Sequence, residues 1–327
     1  MTDARRLVLA VLHPFAARDM AFLVDALSPA YEVQIADPSD LKSADALVRD
    51  ADVAIASQFR PGALTGGHRL RLLQMPSAGA DGVDVRALDR HGVAVAGTHS
   101  HAPLVAEHAL AMALALIKKV SLHDRLVRAG RRFRPTGAVE DADMVSDTLI
   151  GARVGLIGFG VIGRALAGLL AGFDVRPVAH VRHSDRHAAN GIATVTLDEV
   201  LRDAEIVFVT LPLTTETRGL LGEHAFAAIN PNVYLVSTSR PEVIDRGTLL
   251  RALRTRRIRG AAFDGWYGDD TDDGAGPFST LDNVVLSPHR AGTHRDRAPY
   301  LRGVVDNLLA FARTGEIRDR VDPEEGY

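Results

Sequence analysis

Three glycines in the run Val154-Gly-Leu-Ile-Gly-Phe-Gly-Val-Ile-Gly163 stand at the G-x-G-x-x-G spacing: Gly158, Gly160 and Gly163 follow an apolar strand and open a helical run, Arg164–Ala171. Each position asks for a residue without a side chain: one for a tight turn, one for close approach to phosphate, one for packing helix on strand. The helix N-terminus adds unpaired amides and a partial positive charge. The turn therefore predicts a pyrophosphate cradle, with Phe159, Val161 and Ile162 beside the glycines. Alone, the motif does not choose between NAD, NADP, FAD and an empty glycine-rich turn; the strand–turn–helix setting favours a dinucleotide.

The next strand bears on which dinucleotide. Such a strand normally ends in Asp or Glu, which binds the adenosine ribose hydroxyls of NAD and repels a 2′-phosphate. Here it ends Ala179-His-Val-Arg-His-Ser-Asp-Arg186, with Val181 in the acid's place and Arg182, His183, Ser184 and Arg186 after it. A guanidinium fork matches a phosphate dianion, so NADP(H) is favoured and NAD(H) is the alternative. A solvated basic loop is the competing reading, because the chain is rich in Arg and has Lys only at 42, 118 and 119. In a different loop fold, Asp185 is the ribose ligand.

The chain has no cysteine. Disulfides, thiolate metal sites and thiol nucleophiles are excluded, and chemistry must come from His, carboxylates, Arg, hydroxyls or a cofactor. A net charge of −3 with 46 % apolar residues leaves no basic excess for nucleic acid. Met1–Arg6 lacks the basic-then-apolar layout of a signal peptide, and the longest apolar run, Ala102–Ile117, holds Glu107 and His108 and is short for a bilayer. We expect a cytoplasmic protein with no membrane partner.

These groups need a scaffold, and 327 residues suit two α/β domains of roughly 100–200 residues with a cleft between them. Leu7–Leu12, Glu32–Ala36, Val53–Ser57, Leu72–Met75 and Val93–Ala96 read as strands, alternating with helical patterns such as Ala17–Leu27 and Leu41–Arg49. Ala102–Lys119 reads as one long helix, apolar on nearly every face, that leads into an irregular Arg-rich arm over Arg125–Pro135. A second alternation carries strands at Val175–Val181, Ile206–Thr210, Val233–Val236, Gly260–Phe263 and Val284–Leu286, with Gly268–Gly276 as a loop. The tail, Arg297–Arg313, reads as a helix that returns to the first unit. Alternating strands and helices predict two parallel sheets.

Four further segments resemble the D-isomer specific 2-hydroxyacid dehydrogenase family and, with the glycine turn, span nearly the whole chain in the family's order. Gln74-Met-Pro-Ser-Ala-Gly-Ala-Asp-Gly-Val-Asp84 is similar to its substrate-carboxylate loop, which implies roles for Ser77, Ala78, Gly79 and Ala80. Val105-Ala-Glu-His108 is similar to the start of its interdomain helix. Leu211-Pro-Leu-Thr-Thr-Glu-Thr217 resembles its adenine-side loop, implying cofactor contacts from Leu211, Pro212 and Thr217. Ser287-Pro-His-Arg-Ala-Gly292 resembles its catalytic histidine motif, with Gly292 at the cofactor. The resemblance implies a flavodoxin-like substrate domain from 1–100 plus 294–327, and an inserted Rossmann domain over 101–293. An arm over 125–147 would reach the partner of a homodimer joined through the cofactor domain.

The resemblance also implies chemical roles. Val236-Ser-Thr-Ser-Arg240 matches the family's catalytic arginine, with Thr238 and Ser239 toward the cofactor. Arg240 would hold a substrate carboxylate and polarise the adjacent carbonyl, and His289 would be the general acid/base. The family's third residue, usually Glu, falls at Asp269, with Asp270 a register away; its negative charge would raise the histidine's pKa. Asp264 matches a position near the nicotinamide carboxamide. Pro241 replaces a usual glycine, and His101, with His99 nearby, stands where some relatives place a substrate-contacting Asn. That change points to a polar or doubly anionic substrate, unless both histidines cap the following helix; no accompanying carboxylate suggests a metal. The expected activity is NADP(H)-dependent interconversion of a small 2-oxo acid and its D-2-hydroxy acid. The alternatives are formate- or phosphite-type oxidation on the same fold, or a non-catalytic dinucleotide-sensing corepressor or scaffold.

Overall fold

The computed structural model describes residues 6–37, 40–131, 145–182, 191–265, 276–296 and 298–327. The chain divides into two compact units, Met1–His101 with His294–Tyr327, and Ala102–Thr293.

In the first unit, β1 (Leu7–Val11), α1 (Ala17–Leu27), β2 (Tyr31–Ile35), α2 (Leu41–Asp50), β3 (Val53–Ile55), β4 (Leu72–Gln74), α3 (Val85–Arg90) and β5 (Ala94–Ala96) form a βα alternation. The sheet is parallel, in the order β2-β1-β3-β4-β5, which is the flavodoxin-like winding. Its strands are largely buried because helices cover both faces. The C-terminal helix, Ala298–Thr314, packs Leu301, Val304 and Leu308 with Leu9, Leu23 and Leu27, so the tail does return to this unit.

The second unit opens with α4 (Ala102–Ile117) and α5 (Val120–Arg128). It continues through β6 (Arg153–Ile157), α6 (Val161–Leu170), β7 (Arg176–His180), β8 (Ala193–Thr194), α7 (Leu197–Asp203), β9 (Ile206–Val209), α8 (Glu223–Ala228), β10 (Tyr234–Ser237), α9 (Arg246–Arg254), β11 (Gly260–Asp264) and β12 (Val284–Ser287). The seven parallel strands lie in the order β12-β11-β10-β9-β6-β7-β8. The order reverses between β6 and β9, and at such a switch point the crevice outside the strand carboxyl ends takes ligands. Side chains alternate across the sheet: Leu156, Phe208 and Val236 enter one core with α4 and α6, while Ile157, Val207 and Leu235 enter the other.

Several boundaries differ from the sequence reading. The long helix stops at Ile117, because Lys119 adopts a left-handed φ of 55° and turns the chain. The residues after it, including Arg125–Arg128, form α5 rather than an irregular arm. Most strands end a residue or two earlier than their apolar runs, since the last apolar residues already belong to the following loops. The two-residue β8 has no sequence pattern to reveal it. The apolar faces of α4 are covered within the unit, with Ala109, Met112, Ala113 and Leu116 buried, while Pro103, Glu107 and Ala111 are exposed on one side. No helix of the described residues is long and apolar enough to cross a membrane.

Candidate active site

The glycine turn follows β6 at the switch point. Gly158 has φ 95°, its N–H donates to His180 O at 3.0 Å, and its carbonyl accepts from Thr210 Oγ1 at 3.0 Å. A Cβ on Gly163 would lie 2.5 Å from Gly158 O, so the first turn of α6 closes against the loop only with glycine there. Gly160, the N-cap of α6, is the opposite case: a Cβ there meets no protein atom within 4 Å. It faces open space at the amide-rich end of the helix. Phe159 packs into the core, so only its backbone borders the turn, while Val161 is exposed and Ile162 half-buried.

At the neighbouring strand, Val181 is half-buried against the α4–α6 core and Arg182 forms an ion pair with Glu216. His183, Ser184, Asp185 and Arg186 lie outside the described residues. Glu216, which the sequence motifs did not single out, stands inside the Leu211–Thr217 motif. That loop is internally tied: Thr217 Oγ1 donates to Pro212 O at 2.7 Å, and Thr214 N donates to Thr217 Oγ1 at 2.8 Å. Leu211 packs beside Gly158, and Ser239 Oγ donates to Leu211 O, joining the adenine-side loop to the end of β10.

At the other end of the crevice, β10, β11 and β12 deliver three loops. Arg240 is half-buried after β10, where Pro241 opens a 3-10 turn, Pro241–Val243. The register pairs Asp264 with Ser287 on adjacent strands. Asp264 is buried, and its carboxylate accepts from Ser287 Oγ at 2.6 Å, Arg290 N at 2.8 Å and Ala291 N at 2.8 Å. Because Ser287 Oγ spends its proton on Asp264, its oxygen accepts from His108 Nε2 at 2.8 Å, which sets the tautomer of that histidine. His108 on α4 therefore braces the histidine motif, a role the sequence motif Val105–His108 did not disclose. His289 is exposed and adopts φ 55°, a left-handed conformation uncommon outside Gly, Asn and Asp.

Gly265, at φ 114°, sits between His289 and Pro241, the residue that follows Arg240. A Cβ there would lie 3.9 Å from His289 Nδ1 and 3.9 Å from Pro241 Cγ. Gly292 is half-buried in the turn that follows Ala291. A cavity of about 10 Å³, room for one water molecule, is lined by Ser237, Ser239, Pro241, Ile244, Phe263, Asp264 and Gly265. Asp269 and Asp270 lie outside the described residues.

In the first unit, the loop after β4 holds Ser77, Ala78 and Gly79 half-buried and Ala80 buried. Its position is set from several sides. Gln74 Nε2 donates to Gly97 O at 2.7 Å and Met75 O at 2.9 Å, and Thr98 N donates to Ser77 O at 3.1 Å. Tyr300 OH donates to Pro76 O, and Asn307 Nδ2 to Gln74 Oε1. His101 stacks at a tilt on Tyr300, with ring centroids 5.3 Å apart. His99 Nδ1 lies 3.2 Å from Asp319 Oδ1, and this neighbour holds the Asp319 carboxyl below its usual range. Among the described residues, no group of three or more His, Cys, Asp or Glu is arranged to hold a metal.

The second unit fits a nicotinamide dinucleotide. Gly160 leaves the space a phosphate needs, the α6 N-terminus supplies donors, and Thr238 Oγ1 is buried with no hydrogen-bond partner among the described residues.

Comparison with known proteins agrees with this geometry. The NAD binding domain profile of the D-isomer specific 2-hydroxyacid dehydrogenases matches residues 110–291. A glyoxylate reductase of Aeropyrum pernix is 30 % identical over 300 residues, covering 89 % of each chain. One from Pyrococcus furiosus is 31 % identical over 286 residues, covering 85 % of this chain and 82 % of that one. Among solved structures, the NADPH-dependent glyoxylate/hydroxypyruvate reductase of Sinorhizobium meliloti, in complex with NADP and malonate, superposes with a TM-score of 0.78. It is 24 % identical and covers 98 % of both chains, a likeness of fold.

Proposed function

The chain belongs to the D-isomer specific 2-hydroxyacid dehydrogenase family, and from that membership we propose that it is an NADP(H)-dependent reductase of a small 2-oxo acid such as glyoxylate or hydroxypyruvate. As a member of this family it is an NAD(P)-dependent oxidoreductase acting on 2-oxo and 2-hydroxy acids; the cofactor preference, the substrate and the roles of single residues are our reading. The observation that carries it is the grouping around Gly265, which has the His289 ring on one side and Pro241, next to Arg240, on the other. Arg240 binds the substrate carboxylate in a bidentate way and polarises the neighbouring carbonyl, because its charge is permanent and planar. His289 donates the proton to the carbonyl oxygen in reduction and removes it in oxidation. Asp264 acts through backbone: by holding the amides of Arg290 and Ala291 it aims the histidine. Asp269 is the residue we assign to the histidine's charge partner. A bound nicotinamide dinucleotide supplies or accepts the hydride at the carbonyl carbon. Arg182 supports NADP(H), and the likeness to glyoxylate reductases supports glyoxylate as the first substrate to test.

The test is NADPH consumption with a panel of 2-oxo acids, repeated with His289→Ala, beside a direct measurement of dinucleotide binding. Turnover of a short 2-oxo acid that His289→Ala abolishes is the expected result. No turnover of any of them by the wild type, with tight dinucleotide binding intact, would overturn the enzymatic reading in favour of a sensing role.

We also propose that two copies associate through the second unit. Val120, Val127, Val145 and Ile150 are exposed by 52–67 %, and this stretch of chain carries half of the large exposed apolar residues among those described. Apolar groups concentrated in this way suit a partner surface.

A further inference from the structure

Arg182 and Glu216 join the loops that follow β7 and β9. In the sheet these two strands flank β6, whose carboxyl end carries the glycine turn, and all three run parallel. The ion pair therefore spans the crevice at the switch point, on the side where the acid at the end of β7 is missing. Glu216 is not carried on a loose loop. Thr214 Oγ1 accepts from Glu216 N at 3.3 Å and from Thr217 N at 3.2 Å, and Thr217 Oγ1 in turn accepts from Thr214 N at 2.8 Å. A braced turn thus delivers a carboxylate to the guanidinium that would read a 2′-phosphate.

We propose that Glu216 is a specificity-determining residue that occupies Arg182 until a 2′-phosphate displaces it. A phosphate dianion carries more charge and three acceptor oxygens, so it wins the guanidinium from a single carboxylate. The neutral 2′-hydroxyl of NAD(H) has nothing to exchange. Both side chains are exposed, and an exposed pair is worth at most about fivefold in an equilibrium constant. Glu216 therefore sets how strongly NADP(H) is preferred rather than whether a dinucleotide binds. This inference rests on the NADP(H) reading of Arg182 given above.

The experiment measures dissociation constants of NADPH and NADH by nicotinamide fluorescence, without substrate, for the wild type, Glu216→Gln, Arg182→Leu and the double variant. Glu216→Gln is expected to tighten NADPH about three- to fivefold and leave NADH unchanged, and this gain should vanish when Arg182 is already Leu. If Glu216→Gln leaves NADPH unchanged, or weakens NADH instead, the exchange is wrong, and in the second case Glu216 is a ribose ligand. A gain that persists in the double variant also overturns it, since Glu216 would then repel the phosphate directly. If Arg182→Leu leaves the ratio of the two dissociation constants where it was, the NADP(H) reading itself fails, an outcome distinct from failure of Glu216→Gln alone.

Discussion

Ser287 donates its hydroxyl proton to Asp264 Oδ1 at 2.6 Å, across the register pair that joins the ends of β12 and β11. The same carboxylate then collects the amides of Arg290 and Ala291, so one buried acid shapes the chain on both sides of His289. Asp264→Asn keeps the shape but turns one acceptor into a donor facing a donor. Leaving such a bond unmade costs about 2 kcal/mol, or roughly 4–8 °C in melting temperature for a unit of this size. Turnover should fall about 100-fold through misplacement of His289. Calorimetry and steady-state kinetics check both, and unchanged kinetics would mean that Asp264 does not aim the histidine.

His289 holds a left-handed backbone at φ 55°. That conformation costs most residues about 1–2 kcal/mol, and Asn tolerates it well. His289→Asn is therefore expected to lower kcat about 10²–10⁴-fold with no loss of thermal stability, and with NADPH binding retained. A clear drop in melting temperature would show that the ring, not the backbone strain, dominates at this position.

Gly163→Ala places a methyl 2.5 Å from Gly158 O, against backbone that cannot swing aside. The turn must open, and we expect destabilisation of about 1–3 kcal/mol together with weakened binding of both NADPH and NADH. Gly160→Ala makes the contrast. Its methyl meets open space in the free protein, so stability should hold while dinucleotide binding falls. Equal stability losses in the two variants would contradict the division of labour between these glycines.

Burial, and next the Asp147 carboxylate that its hydroxyl bonds, push the Tyr234 phenol up to about 12 from 10.0. Its folded-state pKa is raised, so the stability it contributes is fully present below pH 10 and is lost as pH rises through about 12. In a Tyr234→Phe variant, the deficit relative to wild type should be constant up to pH 10 and shrink by about pH 12. Denaturant unfolding of the two proteins across that range gives the difference directly; a deficit independent of pH would disprove the linkage.

Substituting Val127 and Ile150 together by Asp puts two charges where exposed apolar groups now lie. If this stretch forms the contact between copies, light scattering should show a dimer for the wild type and a monomer for the variant, with unfolding of the isolated chain otherwise similar. A wild-type monomer would remove the proposed association.

The glycine turn and the parallel character of both sheets were legible in the sequence because they follow from short-range rules, whereas the winding of each sheet was implied only by the family resemblance. Gly158, Gly160 and Gly163 act within one turn, and the alternation of β-branched runs with helical patterns implies parallel sheets. Boundaries such as Val11, Ile55 and Gln74 were less legible, since apolar residues continue past the last ladder bond into the loops. The positions proposed here for the catalytic arginine and histidine, Arg240 and His289, came from local motifs that resemble the family's.

The tertiary structure alone decided which groups support them. Asp264 meets Ser287 only because β11 and β12 pair in one register; a slip of one residue would turn one of the two side chains to the other face. Ser287 meets His108 across a sequence separation of 179, and Arg182 meets Glu216 across 34. Local pattern constrains the backbone over a turn or two, whereas partners on neighbouring strands and helices depend on how whole elements pack.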